Sequence, residues 1–226
     1  MDNILDLSTL DTQRVFIVGE INGDHAALMR LLYQQRFGCD DTLIITGNFF
    51  NVDTIDSLDL TVFLRNAVSC YAVLGEQEIK LIQHLEDSEK AEEIRNKLNN
   101  KLNDYCLEFI KNCPIVIKYR DYFIMNAGVD PSKALDDQDP TVFYSIGEYD
   151  KDSRFYQYPN PEQASWYNTP YLVNGKHVKI CFSRIYLEAI EVPAGYNLGR
   201  NSQINSGVRC LVLDKTQGAP SIITSM

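Results

Sequence analysis

Short, unbroken apolar runs that each end at a glycine recur along the first third of the chain. They are Val15 to Val18 before Gly19, Leu43 to Thr46 before Gly47, and Tyr71 to Leu74 before Gly75. Runs of this length without polar alternation are the pattern of strands buried on both faces. Between the first two, Ala27, Leu28, Leu31 and Leu32 fall at helical spacing, and Asp24 stands where an N-cap belongs. Asp59 to Asn66 supplies a second helical segment. The order is therefore βαβαβ with parallel strands.

The segment Glu78 to Ile110 is the most helical of the chain, with a predicted break near Glu86-Asp87-Ser88 and Ser88 as the cap of the next helix. Beyond it Ile94, Leu98, Leu102, Tyr105 and Phe109 recur every three to four residues as one apolar stripe, read as packing surface. Pro114 ends the helical region, because the residue before a proline avoids the α conformation. Ile115 to Tyr119 and Asp121 to Met125 then form a hairpin around Arg120-Asp121. Strands at Val178 to Phe182, Val208 to Asp214 and Ser221 to Thr224 are expected to complete a second sheet. Residues 130–174, rich in Pro, Tyr and Asp, read as a long irregular excursion, and loops of such length usually carry function. The fold class is α/β.

At 226 residues and 45% apolar content, one domain spanning 1–226 is expected. A formal net charge of −10 argues against a nucleic-acid partner, since the densest basic spot, Lys176-His177-Val178-Lys179, is too small to make a basic face. No run approaches the ~20 apolar residues of a membrane span. The first residues lack a basic stretch followed by an apolar core, so no secretory leader is expected. Six scattered cysteines without a Cys-x-x-Cys pair read as reduced thiols of a cytoplasmic protein.

The residues after the strand-ending glycines are Glu20-Ile21-Asn22-Gly23, Asn48, and Glu76-Gln77-Glu78, joined later by Asn126-Ala127-Gly128. In an open α/β sheet ligands bind outside the carboxyl ends of the strands, so these residues converge on one place. In order and spacing the segments resemble the calcineurin-like metallophosphatases, with the bacterial-type serine/threonine phosphatases and diadenosine tetraphosphatases as the nearest branch. That family carries Gly-Asp-x-His-Gly, Gly-Asp-x-x-Asp-Arg-Gly, Gly-Asn-His-Glu and His-Ala-Gly. The resemblance covers nearly the full chain and implies a two-sheet sandwich with flanking helices and, in the enzymes, a two-metal centre.

Carried over position by position, the family's first-motif aspartate and histidine fall on Glu20 and Asn22, and its bridging aspartate on Asn48. Its asparagine ligand falls on Glu76 and its general-acid histidine on Gln77. The later histidines fall on Asn126 and Arg184, and Asn51 begins the stretch that replaces the phosphate-gripping arginine motif. Asn48 is neutral and cannot bridge two cations, and Asn22, Gln77 and Asn126 offer neither an imidazole nitrogen nor a group that titrates near neutrality. Arg184 brings a permanent cation, which is expected to pair with Glu20, Glu76 or both. No metal, no other cofactor and no catalytic residue is expected. A weak single-metal site of His25, Glu20, Glu76 and Asp53 is the relocated alternative, against the simpler reading of His25 as a helix-surface residue; His84 and His177 read as solvent-facing.

The expected function is that of a catalytically inactive phosphatase-like protein (a pseudophosphatase) serving as a binding or regulatory module. The alternative is a weak or altered metal-dependent phosphoesterase. A protein partner is expected through the aromatic excursion of Tyr144, Tyr149, Phe155, Tyr156, Tyr158, Trp166, Tyr167 and Tyr171, and a small anionic ligand is the second partner class. The other reading of those aromatics, that they cover the chain's own sheet, carries equal weight.

Overall fold

The computed structural model describes residues 4–99, 101–145, 148–149, 155–156, 166–168, 170–183, 191–199 and 207–225. In chain order the elements begin with β1 (Ile4–Asp6), β2 (Arg14–Val18), α1 (His25–Gln34), β3 (Asp41–Ile45), α2 (Asp56–Asn66) and β4 (Cys70–Ala72). Three helices come next, α3 (Glu76–Glu86), α4 (Ser88–Lys97) and α5 (Asp104–Asn112), then the hairpin β5 (Val116–Tyr119) and β6 (Tyr122–Ile124). The excursion contributes α6 (Val142–Ser145), β7 (Glu148–Tyr149), β8 (Phe155–Tyr156) and β9 (Tyr171–Val173). The chain closes with β10 (Lys176–Phe182), β11 (Glu191–Val192), β12 (Gly195–Asn197), β13 (Arg209–Asp214) and β14 (Ser221–Thr224).

Two sheets face each other. One runs β14-β13-β2-β3-β4 and the other β1-β5-β6-β10-β12-β11, with β9 beside β10. The apolar run of β2 divides its residues between two cores because successive side chains point to opposite faces. Val15 and Ile17 meet Ile117, Ile124, Cys181 and Tyr196 of the other sheet, whereas Phe16 and Val18 share a cluster with Leu28 and Leu31 of α1. Asp24 caps α1 as the sequence predicts, its carboxylate accepting from Ala27 N at 2.9 Å. Helix α2 begins at Asp56, earlier than the expected Asp59.

Three expectations are corrected. The late hairpin β13–β14 does not join the second sheet: β13 pairs antiparallel with β2, Leu211 opposite Ile17, and extends the first. Sequence adjacency to β10 hides this, because pairing depends on which apolar edge the strand meets. The cap of α4 is Asp87, which accepts from the N–H groups of Glu89 and Lys90, so Ser88 is the first helical residue. A carboxylate is the stronger acceptor at a positively polarised helix start. The stripe from Ile94 to Phe109 is not one helix. The chain leaves α4 at Leu98, turns through Asn99 at φ 52°, and is capped anew by Asn103 accepting from Cys106 N. Asparagine tolerates the left-handed region and caps well, so these polar residues override the apolar periodicity.

One buried group fixes the strand ends that form the cleft. Glu78, in the first turn of α3, is fully buried. It accepts from Asn48 N at 2.9 Å, Phe50 N at 2.7 Å and Gly75 N at 2.8 Å, and so ties the loop after β3 to the loop after β4. Burial pushes its carboxyl up from 4.5 to about 7, against those N–H groups, which favour the charged form. A carboxyl with a higher pKa in the folded than in the unfolded chain holds its proton more tightly when folded. Its contribution is therefore complete below about 4.5 and lost as pH rises through about 7. Urea unfolding is expected to show a loss on the order of 3 kcal/mol from this group between pH 5 and 8. Glu78→Gln removes that slope and is less stable than the parent at pH 5 by about 2 kcal/mol, because one carboxamide end cannot accept an N–H. An unchanged slope in the variant contradicts this role.

Candidate functional site

Five strand ends meet at one edge of the sandwich. Glu20 and Asn22 follow β2, Asn48 follows β3, Glu76 opens α3 just after β4, Asn126 follows β6, and Ser183 follows β10. The backbone there is unusual: Asn22 lies at φ 53°, Gly23 at 79°, Gly47 at 89° and Asn48 at 49°. Asparagine and glycine are the residues that accept these angles, so the two substituted motif positions keep the turn that presents them. Asn22 N donates to Asn48 O at 2.8 Å and Gly23 N to Phe49 O at 2.9 Å, which locks the first two loops together.

The two central carboxamides are engaged at both ends. Asn48 Oδ1 accepts from Gln77 N at 3.0 Å, and its Nδ2 donates to Glu20 Oε1 at 3.3 Å. Asn126 Oδ1 accepts from Glu76 N at 3.4 Å, and its Nδ2 donates to Thr46 O at 3.0 Å. Each orientation is forced, since an amide N–H₂ faces a carboxylate or carbonyl and an amide oxygen faces an N–H. Asn126 is buried, and a side chain added at Gly75 would collide with Asn48 and Asn126, so the floor of the cleft is close-packed. Ser183 completes it. Glu20 N donates to Ser183 Oγ at 3.2 Å, Ser183 N donates to Asn126 O at 2.9 Å, and the Thr46 and Ser183 hydroxyls are hydrogen-bonded.

The sequence-predicted positions thus divide. Glu20, Asn48, Glu76, Gln77 and Asn126 come together, with Asn22 on the adjoining turn. Glu76 also holds Lys80 at 2.6 Å along its own helix. Asn51 is held in a local turn: its Oδ1 accepts from Asp53 N at 2.9 Å where the chain enters α2. Arg184 lies outside the described residues, as does its expected pairing with Glu20 and Glu76.

The relocated single-metal alternative is not assembled. His25 packs its ring on Phe63 of α2, with centroids 5.9 Å apart, and Asp53 pairs with Lys97 of α4 at 3.2 Å. Among the described residues no three His, Cys, Asp or Glu side chains are grouped to hold a metal ion. The two-metal centre of the resembling enzymes is a poor fit on chemical grounds. The residue at the bridging position is a neutral amide whose oxygen accepts an N–H and whose nitrogen donates to the neighbouring carboxylate.

Sequence reasoning misses two residues. Glu78 enters it only as part of a motif, although a glutamate three residues after a strand-ending glycine, at N3, is the acceptor half of a capping box. Ser183, beside Arg184, is announced by no local pattern. Of the aromatic excursion, Tyr171 is buried with its hydroxyl donating to Lys133 O at 2.8 Å. Tyr167 stacks on Phe182, and Tyr144 packs against the main core. These three serve the chain's own packing; Tyr158 and the side chains of Tyr149, Phe155, Tyr156 and Trp166 lie outside the described residues.

No protein-family model matches the chain, and no curated protein matches it by sequence. Solved structures do. A putative diadenosine tetraphosphatase superposes with a TM-score of 0.78 at 19% identity, over 99% of this chain and 98% of that one. A metallophosphoesterase from Sphaerobacter thermophilus gives 0.55 at 11% identity, over 95% and 89%. A serine/threonine phosphatase from Saccharomyces cerevisiae with similarity to human phosphatase PP5 gives 0.52 at 17% identity, over 98% and 82%. At such identities the likeness is one of fold, and the fold of this chain is that of the calcineurin-like metallophosphoesterases.

Proposed function

We propose that the chain is a catalytically inactive phosphatase-like protein, a pseudophosphatase that acts as a binding or regulatory module in the cytoplasm. The observation that carries this reading is the double engagement of Asn48. Where the resembling enzymes need a carboxylate to bridge two cations, this chain has an amide whose N–H₂ group holds Glu20 in place. Glu20 and Asn48 meet as acceptor and donor, where two carboxylates would need a cation between them. Gln77, at the position of the general acid, contributes its backbone N–H to the same network, and its side chain cannot deliver a proton near neutrality. Asn51 is held in a local turn where a phosphate-gripping arginine motif would stand. Six free cysteines, four of them buried, suit a reducing compartment. Among the described residues no helix is long and apolar enough to cross a membrane.

Hydrolysis of p-nitrophenyl phosphate, phosphopeptides and diadenosine polyphosphates is expected to stay at background with added manganese. Turnover that rises with manganese and vanishes in Glu20→Gln would establish the alternative, a weak metal-dependent phosphoesterase. Restoring the family's carboxylate by Asn48→Asp tests the same point through stability. It replaces a hydrogen bond to Glu20 with two carboxylates in contact, a repulsion of about 2–4 kcal/mol at an effective dielectric near 20. Urea unfolding at pH 7 is expected to show a loss of that order, shrinking as pH falls and one carboxyl takes up a proton. A variant as stable as the parent, or one that gains turnover, contradicts the proposal.

A further inference from the structure

Large apolar residues of this chain are mostly buried, yet several stay exposed around one groove far from the cleft. Met29, Leu32, Tyr33, Phe37, Phe63, Ala67 and Val68 line it with Arg36, and its volume is about 580 Å³. Tyr33 is 86% exposed, Val68 82% and Met29 40%. The groove lies between the last turns of α1 and α2 and the turn that leads into β3. Helix α1 starts at the cleft, capped by Asp24, and its ten residues run about 15 Å away from it. The groove is thus at the opposite end of the strands from Glu20 and Asn48.

The charged residue that lines the groove is a cation. On a protein of net charge −10, Arg36 lines the groove and forms no ion pair among the described residues. No carboxylate lines it. Arg14 is bound to Asp41, and its Nη2 also donates to the Arg36 carbonyl, which fixes the turn that carries Arg36. Tyrosine, methionine, phenylalanine and arginine without acid or lysine is the composition of an interface core.

We propose that this groove docks a partner-protein segment that sets two large apolar side chains, three or four residues apart, into it and an acidic residue against Arg36. The volume exceeds what a single side chain fills and suits one turn of an amphipathic helix. A small molecule confined to the groove would leave the outer faces of Tyr33 and Val68 in water, whereas a peptide backbone crossing the rim covers them. Arg36 sets the sign of the partner: an acidic segment gains a charge-assisted contact, and a basic one meets like charge. The surface works independently of whether the cleft hydrolyses anything.

The test is selection of a displayed random 16-residue peptide library on the full chain, with the enriched peptides then measured by fluorescence anisotropy. The expected peptides carry paired large apolar residues and a flanking Asp or Glu. Tyr33→Ser combined with Val68→Ser, at sites too exposed to matter for folding, is expected to weaken them at least about tenfold. Arg36→Glu weakens them similarly, with recovery when the peptide's acid is changed to lysine, while Leu172→Ser, an exposed apolar residue on β9, has no effect. Failure to enrich any sequence, enrichment of basic peptides, or binding indifferent to these variants overturns the proposal. So does self-association of the chain by sedimentation that disappears in the Tyr33→Ser, Val68→Ser variant, because a second copy is then the occupant.

Discussion

A single buried carboxyl group holds the cleft in shape. Glu78 gathers the N–H groups of Asn48, Phe50 and Gly75, donors that the ends of β3 and β4 leave without partners. Loops that leave parallel strands do not pair with one another, so their polar groups need a common acceptor if they are buried. Glu78 provides it, and the positions of Asn48 and of the start of α3 follow from that contact. Everything proposed for the cleft depends on this geometry.

On that frame, under the proposed reading, carboxamides take the place of a metal centre's cohesion. Divalent cations would draw Glu20, Asn48, Glu76 and Asn126 together by charge; here Asn48 and Asn126 do so by offering a donor at one end and an acceptor at the other. Asn48 joins the loop after β2 to the start of α3, and Asn126 joins the second sheet to the first through Thr46 and Glu76. A carboxylate at either place would lose the donor half of its contacts. Under the same reading, the residues at the family's metal-ligand positions are the ones whose hydrogen bonds hold the loops of the cleft together.

Much of this is legible in the sequence because the central strands are local, apolar and punctuated by glycine. The runs ending at Gly19, Gly47 and Gly75 mark the strands in order, Asp24 marks the cap of α1, and convergence of Glu20, Asn48 and Glu76 follows from the rule for strand carboxyl ends. Non-local pairing is not legible. Nothing in the pattern of β13 distinguishes a partner on β2 from one on β10, so pattern alone puts the late hairpin on the wrong sheet. Competition between caps is also hidden, since Asp87 and Ser88 are both good N-caps and Asn99 and Asn103 interrupt a stripe that periodicity alone joins. The groove beside Arg36 is invisible for a simpler reason. Met29 and Tyr33 fall off the buried positions 27, 28, 31 and 32 of α1, but a helical pattern does not say whether another element covers its second face.

The central claim is that the amide network stands where the resembling enzymes hold metal. Titration of manganese into the metal-stripped full chain, followed by calorimetry and by elemental analysis after gel filtration, tests it most directly. The account predicts no saturable heat and no retained metal. Saturation near one or two equivalents, abolished by Glu20→Gln, would show that Asn48 and Glu20 yield to a cation and would contradict it.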